Sequence, residues 1–128
     1  MNVPTTALYA ALNVLFNLAL AGNISRLRLT HKVGIGDGDN KELKRAIRAH
    51  GNNAEWLPLA LVLLVVAELS GAPSLQLHLL GGTLLLGRLL HAAGMYTMFG
   101  PLKTGSATLN YLVHLTLVGY VLWLRPWG

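Results

Sequence analysis

The stretch RAIRAHGNNAEWLPLALVLL, residues 45–64, changes from ionic to apolar halfway along its length. Up to Glu55 it carries two arginines, a histidine, two asparagines and a glutamate, whereas every residue after Pro58 is apolar. At about 100° per residue, its main polar side chains fall within roughly 80° of one another around an α-helix. These side chains are Arg45, Arg48, Asn52 and Glu55. The stretch therefore predicts a helix with a polar stripe at one end and a purely apolar span at the other.

The composition of the whole chain indicates a membrane protein. Of its 128 residues, 53% are hydrophobic and 12% are charged, and the mean hydropathy is +0.50. A soluble protein of this size exposes most of its residues and needs more polar surface. Three segments, 1–25, 70–87 and 104–124, contain no charged side chain. Each approaches or exceeds the roughly 20 residues with which a helix crosses a hydrocarbon core of about 30 Å, so we expect an all-α integral membrane protein.

Other classes of protein fit the sequence less well. The basic residues follow the first apolar segment, so we expect an uncleaved spanning helix and not a signal peptide. The absence of cysteine excludes disulfides, thiolate metal ligands and a cysteine nucleophile. The net charge is +5, and the basic residues lie beside the apolar segments. There they would set topology and interact with anionic lipid headgroups, so no nucleic-acid partner is expected. No metal site is expected either, because the histidines at 31, 50, 78 and 114 share no helical face.

The segments predict one domain, 1–128, of four transmembrane helices. The predicted helices cover residues of about 5–28, 40–70, 75–99 and 105–124, with turns at SGAPS (70–74) and GPLKTG (100–105). Asp39 and Glu42 have the spacing of a capping box, which would start the second helix near Asn40. Pro58 leaves the carbonyl of Ala54 without its helical partner, so we expect a kink or a hydrogen bond from elsewhere.

Charge and small residues predict orientation and packing. The loop between the first two helices and its flanks hold seven basic residues, whereas the turn at 70–74 holds none. The positive-inside rule then places this loop in the cytoplasm and both termini outside. The third helix is rich in glycine, which permits close helix contact; these residues are Gly81, Gly82, Gly87 and Gly94. Aromatic residues suited to an interface belt at the outer face are Tyr9, Tyr120, Trp123 and Trp127.

Cations outnumber carboxylates where the polar stripe enters the membrane. Arg88 on the third helix is expected at the depth of the inner end of the stripe, and Arg26 ends the first helix. One carboxylate, Glu55, cannot neutralise Arg26, Arg48 and Arg88. Because unpaired cations are costly in low dielectric, we expect an anionic ligand, and arginine forks suit carboxylates. Alternatively, Glu55 and Arg88 form an ion pair that only fixes packing, with Asn52 as an interhelical hydrogen-bonding group.

Two motifs resemble those of a known family. The pattern R-A-x-x-N-x-x-E-W-x-P at 48–58, together with GRLLHAAGMY at 87–96, is similar to the MAPEG family, the membrane-associated proteins of eicosanoid and glutathione metabolism. The resemblance covers nearly the whole chain, and VGIGDG at 33–38 resembles the bacterial members. It implies a homotrimer of four-helix subunits in the bacterial inner membrane that binds glutathione between subunits, near the cytoplasmic side. The glutathione-binding positions that it implies are Arg26, Arg48, Asn52, Glu55 and Arg88.

The resemblance also implies an activity, but two positions depart from the family pattern. The implied activity is that of a membrane glutathione transferase, with peroxidase activity as a further expectation, acting on lipophilic substrates from the bilayer. Met95 stands where the family has a tyrosine, and Tyr96 lies one place later. Where family synthases have an arginine near the start of the fourth helix, this chain has Lys103 and Thr104. Tyr96, Lys103 and Thr104 are thus the candidates for stabilising the glutathione thiolate, Lys103 as a point charge.

The departures leave two alternatives open. One is a non-catalytic trimeric membrane protein that binds glutathione or an anionic lipid and has lost the thiolate-stabilising groups, as Met95 suggests. The other is a purely structural helical bundle, which would bind no such anion. Eicosanoid synthesis is not expected, because a bacterial member would not meet those substrates.

Overall fold

The protein is described by a computed structural model covering residues 2–125, and these residues form four α-helices, as predicted. The helices are α1 (Pro4–His31), α2 (Lys41–Leu69), α3 (Ser74–Thr97) and α4 (Gly100–Leu124). Helices α1, α2 and α4 are long and apolar enough to cross a membrane. The 24 residues of α3 would span about 36 Å, but Arg88 and two histidines lower its hydropathy. The fold is that of a membrane helical bundle.

Helices α2 and α3 form the centre of the bundle. They pack against each other, and each packs against both α1 and α4, whereas α1 and α4 share no contact within residues 2–125. The apolar core lies between the helices and includes the fully buried side chains of Leu64, Leu84 and Leu117. Short connections make successive helices antiparallel. We call the end that carries the α1–α2 loop and the α3–α4 connection the loop end, and the opposite end the terminal end.

The start of α2 differs from the predicted capping box. Asn40 is the N-cap, and its Oδ1 accepts a hydrogen bond of 2.9 Å from the backbone N–H of Leu43. Asparagine is among the preferred N-cap residues because its side-chain oxygen satisfies a free N–H of the first turn. Asp39 cannot take this role, because it lies in the loop at a φ of 57° with its N–H bonded to Asp37. The prediction of a capping box formed by Asp39 and Glu42 is therefore wrong, although α2 starts where it was expected.

The prediction of a turn at residues 100–105 is also wrong, because α4 already begins at Gly100. Pro101 lies in the first helical turn, where its missing N–H costs no hydrogen bond. The connection from α3 is only two residues long, and Met98 within it adopts a φ of 58°. As a result, Lys103 and Thr104 lie on a helix and not in a turn.

Glycines of α3 permit close contacts, as predicted. A Cβ atom at Gly94 would lie 2.8 Å from the backbone nitrogen of Lys103, so α3 and α4 approach each other here at backbone distance. At Gly81 a Cβ atom would collide with the ring of Tyr9. Tyr9 therefore packs inward against α3, and its hydroxyl donates to the carbonyl of His78 at 3.1 Å. It is a packing residue, in contrast to the interface role predicted for it.

The other aromatic residues of the predicted belt lie at the terminal end. Trp123 is 72% exposed and its ring stacks on that of Tyr120. The hydroxyl of Tyr120 donates to the side chain of Gln76. Trp127 lies outside the described residues.

Pro58 lies inside α2, which continues without a break from Lys41 to Leu69. A side chain from another helix reaches this part of α2, although it does not reach Ala54. The Nε2 atom of His114 lies 3.0 Å from the carbonyl oxygen of Trp56, and its Nδ1 atom lies 2.7 Å from the carbonyl oxygen of Asn110. His114 thus links α4 to α2 immediately before the proline.

The N-terminus of α1 is capped by a carboxylate from α2. The two side-chain oxygens of Glu68 accept hydrogen bonds from the backbone N–H groups of Thr5 and Thr6, at 2.9 and 2.7 Å. The preceding residue, Val3, has no side-chain oxygen with which to cap the helix. A negative charge at this position also interacts favourably with the helix dipole. Glu68 therefore fixes the start of α1 to the end of α2.

We expect the Glu68→Gln substitution to destabilise the bundle by about 1 kcal/mol, because it removes the charge from two charge-assisted hydrogen bonds. Thermal unfolding of the detergent-purified protein should show a midpoint several degrees lower, with faster amide exchange at Thr5 and Thr6. The matched control is Asp39→Asn, which removes an exposed carboxylate from the loop. Equal midpoints for the two variants would contradict the capping role.

Candidate functional site

Arg88 is a buried cation near the middle of the bundle. Its side chain lies on α3 and is only 2% exposed. The Nη2 atom donates a hydrogen bond of 2.6 Å to Oδ1 of Asn52 on α2. Its Nε and Nη1 atoms are buried and have no hydrogen-bond partner among residues 2–125. Asn52 and Arg88, both predicted as glutathione-binding residues, are therefore in direct contact.

The ion pair between Glu55 and Arg88, one of the alternatives above, is not formed in the single chain. Glu55 is exposed on α2, and the ion pairs among residues 2–125 join other groups. The buried guanidinium thus has an amide oxygen as its neighbour and no carboxylate. A buried cation without a counter-ion is costly in low dielectric, so this group is suited to bind an anion.

A cavity of about 50 Å³ adjoins the guanidinium of Arg88. We call it the Arg88 cavity. Its polar and aromatic lining consists of Asn52 and Trp56 from α2, Arg88 and His91 from α3, and Asn110 and Tyr111 from α4. Since one water needs about 10–15 Å³ of such space, the cavity has room for a few waters or for a group as small as a carboxylate. The lining residues of the cavity thus come from three helices, α2, α3 and α4.

Hydrogen bonds between α3 and α4 hold the wall of the Arg88 cavity. The Nδ2 atom of Asn110 donates to the carbonyl of Gly87 at 3.3 Å and to that of Ser106 at 2.8 Å. Its Oδ1 atom is buried and has no partner in the described part of the chain. The hydroxyl of Ser106 lies 3.4 Å from Nδ1 of His91. The cavity therefore offers two guanidinium nitrogen donors and one amide oxygen acceptor that have no hydrogen-bond partner within residues 2–125.

The aromatic side of the cavity lies towards the outer surface of the bundle. Trp56 and Tyr111 meet edge to face, with ring centroids 5.0 Å apart. Tyr111 is 55% exposed, so the cavity adjoins the apolar surface between α2 and α4. Trp56 also packs edge to face on His114, at 5.5 Å.

The other predicted binding residues lie outside the Arg88 cavity. Arg48 and Glu55 are exposed on α2 and make no ion pair within residues 2–125. The exposed side chain of Arg26 donates through Nε and Nη2 to Oδ1 of Asn23, at 3.2 and 3.0 Å, and Nη2 lies 4.0 Å from Glu42. All of these side chains remain accessible to a ligand or to a second subunit.

The three candidates for thiolate stabilisation do not line the cavity either. The hydroxyl oxygen of Tyr96 accepts a hydrogen bond of 3.1 Å from Nδ2 of Asn23, so Tyr96 faces α1. Lys103 and Thr104 are exposed near the start of α4. Arg26, Asn23 and Tyr96 form one hydrogen-bonded chain at the loop end, which we call the Tyr96 chain.

Several cavity residues were not predicted as site residues. Asn110 lines the cavity and Ser106 lies four residues before it, so these two polar side chains share one buried face of α4. This polar pair could have been detected by the same periodicity that identified the stripe on α2. Trp56 and Tyr111 carry no such signal, because single aromatic residues are common throughout apolar helices.

Comparisons with known proteins agree with the resemblance described above. The family model "MAPEG family" matches residues 6–123. The inner membrane protein YecN of Escherichia coli K12 is 36% identical over 122 residues, which cover 95% of this chain and 93% of YecN. YecN of E. coli O6:H1 matches with the same identity and coverage. The matched residues include nearly all of the four helices and every residue of the Arg88 cavity, and the chain therefore belongs to the MAPEG family.

Proposed function

We propose that this protein is a membrane-bound glutathione transferase that works as a homotrimer in the bacterial inner membrane. The observation that carries the proposal is the buried guanidinium of Arg88, which lies beside a cavity of carboxylate size and whose Nε and Nη1 atoms have no hydrogen-bond partner among the described residues. Family membership points to glutathione, which has two carboxylates and an ammonium group. The relative YecN is an inner membrane protein by name, which supports the inner membrane as the location proposed for this protein.

The distribution of polar side chains supports binding between subunits. One carboxylate of glutathione would occupy the Arg88 cavity, accepting from Arg88 while Asn110 accepts an N–H of the peptide. Arg48 and Glu55 are exposed on the outside of their own bundle. In a trimer they would therefore reach the glutathione molecule that is bound in the Arg88 cavity of a neighbouring subunit. Glu55 would then pair with the ammonium group, and Arg26 with the second carboxylate. These side chains are exposed in a single chain, whereas in a trimer they would bind glutathione between subunits.

The proposed reaction requires the glutathione thiolate. Its sulfur attacks an electrophilic carbon of a lipophilic substrate, the S–C bond forms and the leaving group departs with its electron pair. Binding both reactants in one site supplies proximity, and a donor near the sulfur stabilises the thiolate. With a hydroperoxide, the thiolate attacks the terminal oxygen, the O–O bond breaks and the alcohol leaves after taking up a proton. The resulting glutathione sulfenic acid then reacts with the thiol of a second glutathione to give the disulfide and water. Trp56 and Tyr111 would guide the lipophilic substrate from the bilayer.

Tyr96 is the thiolate-stabilising residue that we expect to matter most. The amide of Asn23 donates to its hydroxyl oxygen, and Arg26 donates to the same amide. The phenolic O–H is thus left free to donate, and the Tyr96 chain strengthens it as a donor. In the part of the chain that the structure describes, the side chains of Lys103 and Thr104 have no comparable support from a second residue.

We therefore expect Tyr96→Phe to lower kcat for conjugation of a chlorodinitrobenzene by at least tenfold, with the Kd for glutathione within twofold of wild type. Lys103→Gln and Thr104→Val should have smaller effects, and Thr116→Val, an exposed hydroxyl elsewhere on α4, serves as the control. Stopped-flow absorbance in detergent micelles measures the rates. A wild-type protein that binds glutathione but converts neither this electrophile nor a lipid hydroperoxide would instead be the non-catalytic binding protein considered above.

The proposed orientation places the loop end in the cytoplasm, following the positive-inside rule. The chain has no cysteine, so single cysteines can be introduced without background. We expect a membrane-impermeant maleimide to label Ser70→Cys in spheroplasts and to label Ile35→Cys only after lysis. Both positions are exposed in the structure. The reverse labelling pattern would contradict this orientation.

A further inference from the structure

A second candidate binding site lies at the loop end of α1, separate from the Arg88 cavity. A groove there is formed by the last two turns of the helix and the first residues of the loop; its lining residues are Ser25, Arg28, Leu29, Lys32, Val33 and Gly34. None of these residues is used by the proposed function. We call this feature the α1 groove.

The α1 groove has a rigid and unneutralised positive charge. Nη1 of Arg28 donates to the carbonyl of Gly36 at 2.9 Å and reaches those of Val33 and Gly34 at 3.5 and 3.4 Å, which fixes the guanidinium against the loop. Its Nε and Nη2 atoms make no hydrogen bond within residues 2–125, and Lys32 makes no ion pair there. Asp37, the nearest loop carboxylate in sequence, lies 3.8 Å from Lys44.

The groove also continues an apolar surface of α1. Leu18 is 61% exposed and Leu29 is 81% exposed. Together with Ser25, they fall within about 40° of one another around the helix. Beyond the helix, Ile35 is 95% exposed at the tip of the loop. Arg28 and Lys32 thus lie at the loop end of an apolar strip that runs along α1. The exposed side chains of Leu29 and Ile35 are near them in the sequence.

We propose that the α1 groove binds an anionic phospholipid. The phosphate lies between the guanidinium of Arg28 and the ammonium of Lys32, and the acyl chains follow the exposed face of α1 past Leu29 and Leu18. The charge of the groove selects an anionic headgroup. The apolar strip selects a lipid over a soluble phosphate, because only a lipid buries that surface at the same time as its phosphate is bound.

Native mass spectrometry of the detergent-purified protein tests this site. Phosphatidylglycerol should bind more tightly than phosphatidylcholine, and Lys32→Asn should lower the affinity for phosphatidylglycerol about fivefold, the effect of one cation at a membrane surface. Asparagine suits position 32, where the backbone φ is 57°. The matched control is Lys41→Asn, which removes an exposed cation from the same end but outside the groove and should leave the affinity within twofold.

Three results would overturn the proposal. An equal loss of affinity in the two variants would mean that the charge acts diffusely and that no site exists. Equal binding of the two phospholipids would mean that the groove does not select an anion. Displacement of phosphatidylglycerol by an equal concentration of glycerol phosphate would mean that the site recognises a soluble phosphate and not a lipid.

Discussion

The Arg88→Leu substitution is expected to weaken glutathione binding about 100-fold without destabilising the bundle. Two hydrogen bonds from a buried guanidinium to a carboxylate are each worth about 1.5–3 kcal/mol, so their loss removes most of the affinity. In the absence of glutathione the same cation is buried, and residues 2–125 provide no counter-ion for it. Replacing it by an apolar side chain should therefore leave the thermal unfolding midpoint unchanged or raise it. Calorimetric titration and thermal unfolding of the same purified samples measure both effects.

The combination of the two effects distinguishes a binding residue from a packing residue. A residue that only fixes helix packing would lower the unfolding midpoint when it is replaced, with or without glutathione. The control is Lys41→Leu, which removes an exposed cation at the loop end. A large drop in the midpoint of ligand-free Arg88→Leu, together with unchanged glutathione affinity, would contradict the role that we assign to Arg88.

The Gly94→Ala substitution is expected to destabilise the bundle, because the methyl group that it adds would meet the backbone of the neighbouring helix. The added Cβ would lie 2.8 Å from the backbone nitrogen and 2.9 Å from the Cα of Lys103, so one helix must move. Overpacking of this kind costs about 1–3 kcal/mol. Because Lys103 is at the start of α4, the movement should also disturb the hydrogen bond between Ser106 and His91. We expect a lower unfolding midpoint and weaker glutathione binding.

Gly119→Ala is the matched control for this substitution. Gly119 lies on the same helix pair, and nothing lies within 4 Å of the Cβ atom that alanine would add. Its replacement should keep or slightly raise the midpoint, because alanine has the higher helix propensity. Equal midpoints for the Gly94 and Gly119 variants would show that α3 and α4 are not in close contact at this point.

The helices could be predicted because their signals are local. Uncharged segments of the right length predict spans, and the glycines of α3 predict close contacts that the structure confirms at Gly81 and Gly94. The error at the start of α4 arises because Gly-Pro is typical both of a turn and of the first turn of a helix. The error at Asp39 has a similar origin, since Asn40 beside it is an equally good capping residue.

The site could be predicted only in part, because periodicity gives the position of a residue around its own helix but not the rotation of that helix in the bundle. The stripe on α2 spans about 80°, and the boundary between interior and surface divides it. Asn52 therefore reaches Arg88, whereas Arg48 and Glu55 remain outside. The role of Glu68 depends on a contact with residues more than 60 positions away, for which the local sequence carries no signal.

The most direct test of the proposed site is calorimetric titration of the purified protein with glutathione and with its diethyl ester. Both compounds have the thiol and the peptide bonds, but the diester lacks both negative charges, including the one that would pair with Arg88. We predict saturable binding of glutathione and at least tenfold weaker binding of the diester, with a smaller difference in Arg88→Leu. Equal affinities for the two compounds, or no binding of glutathione by the folded protein, would contradict the account.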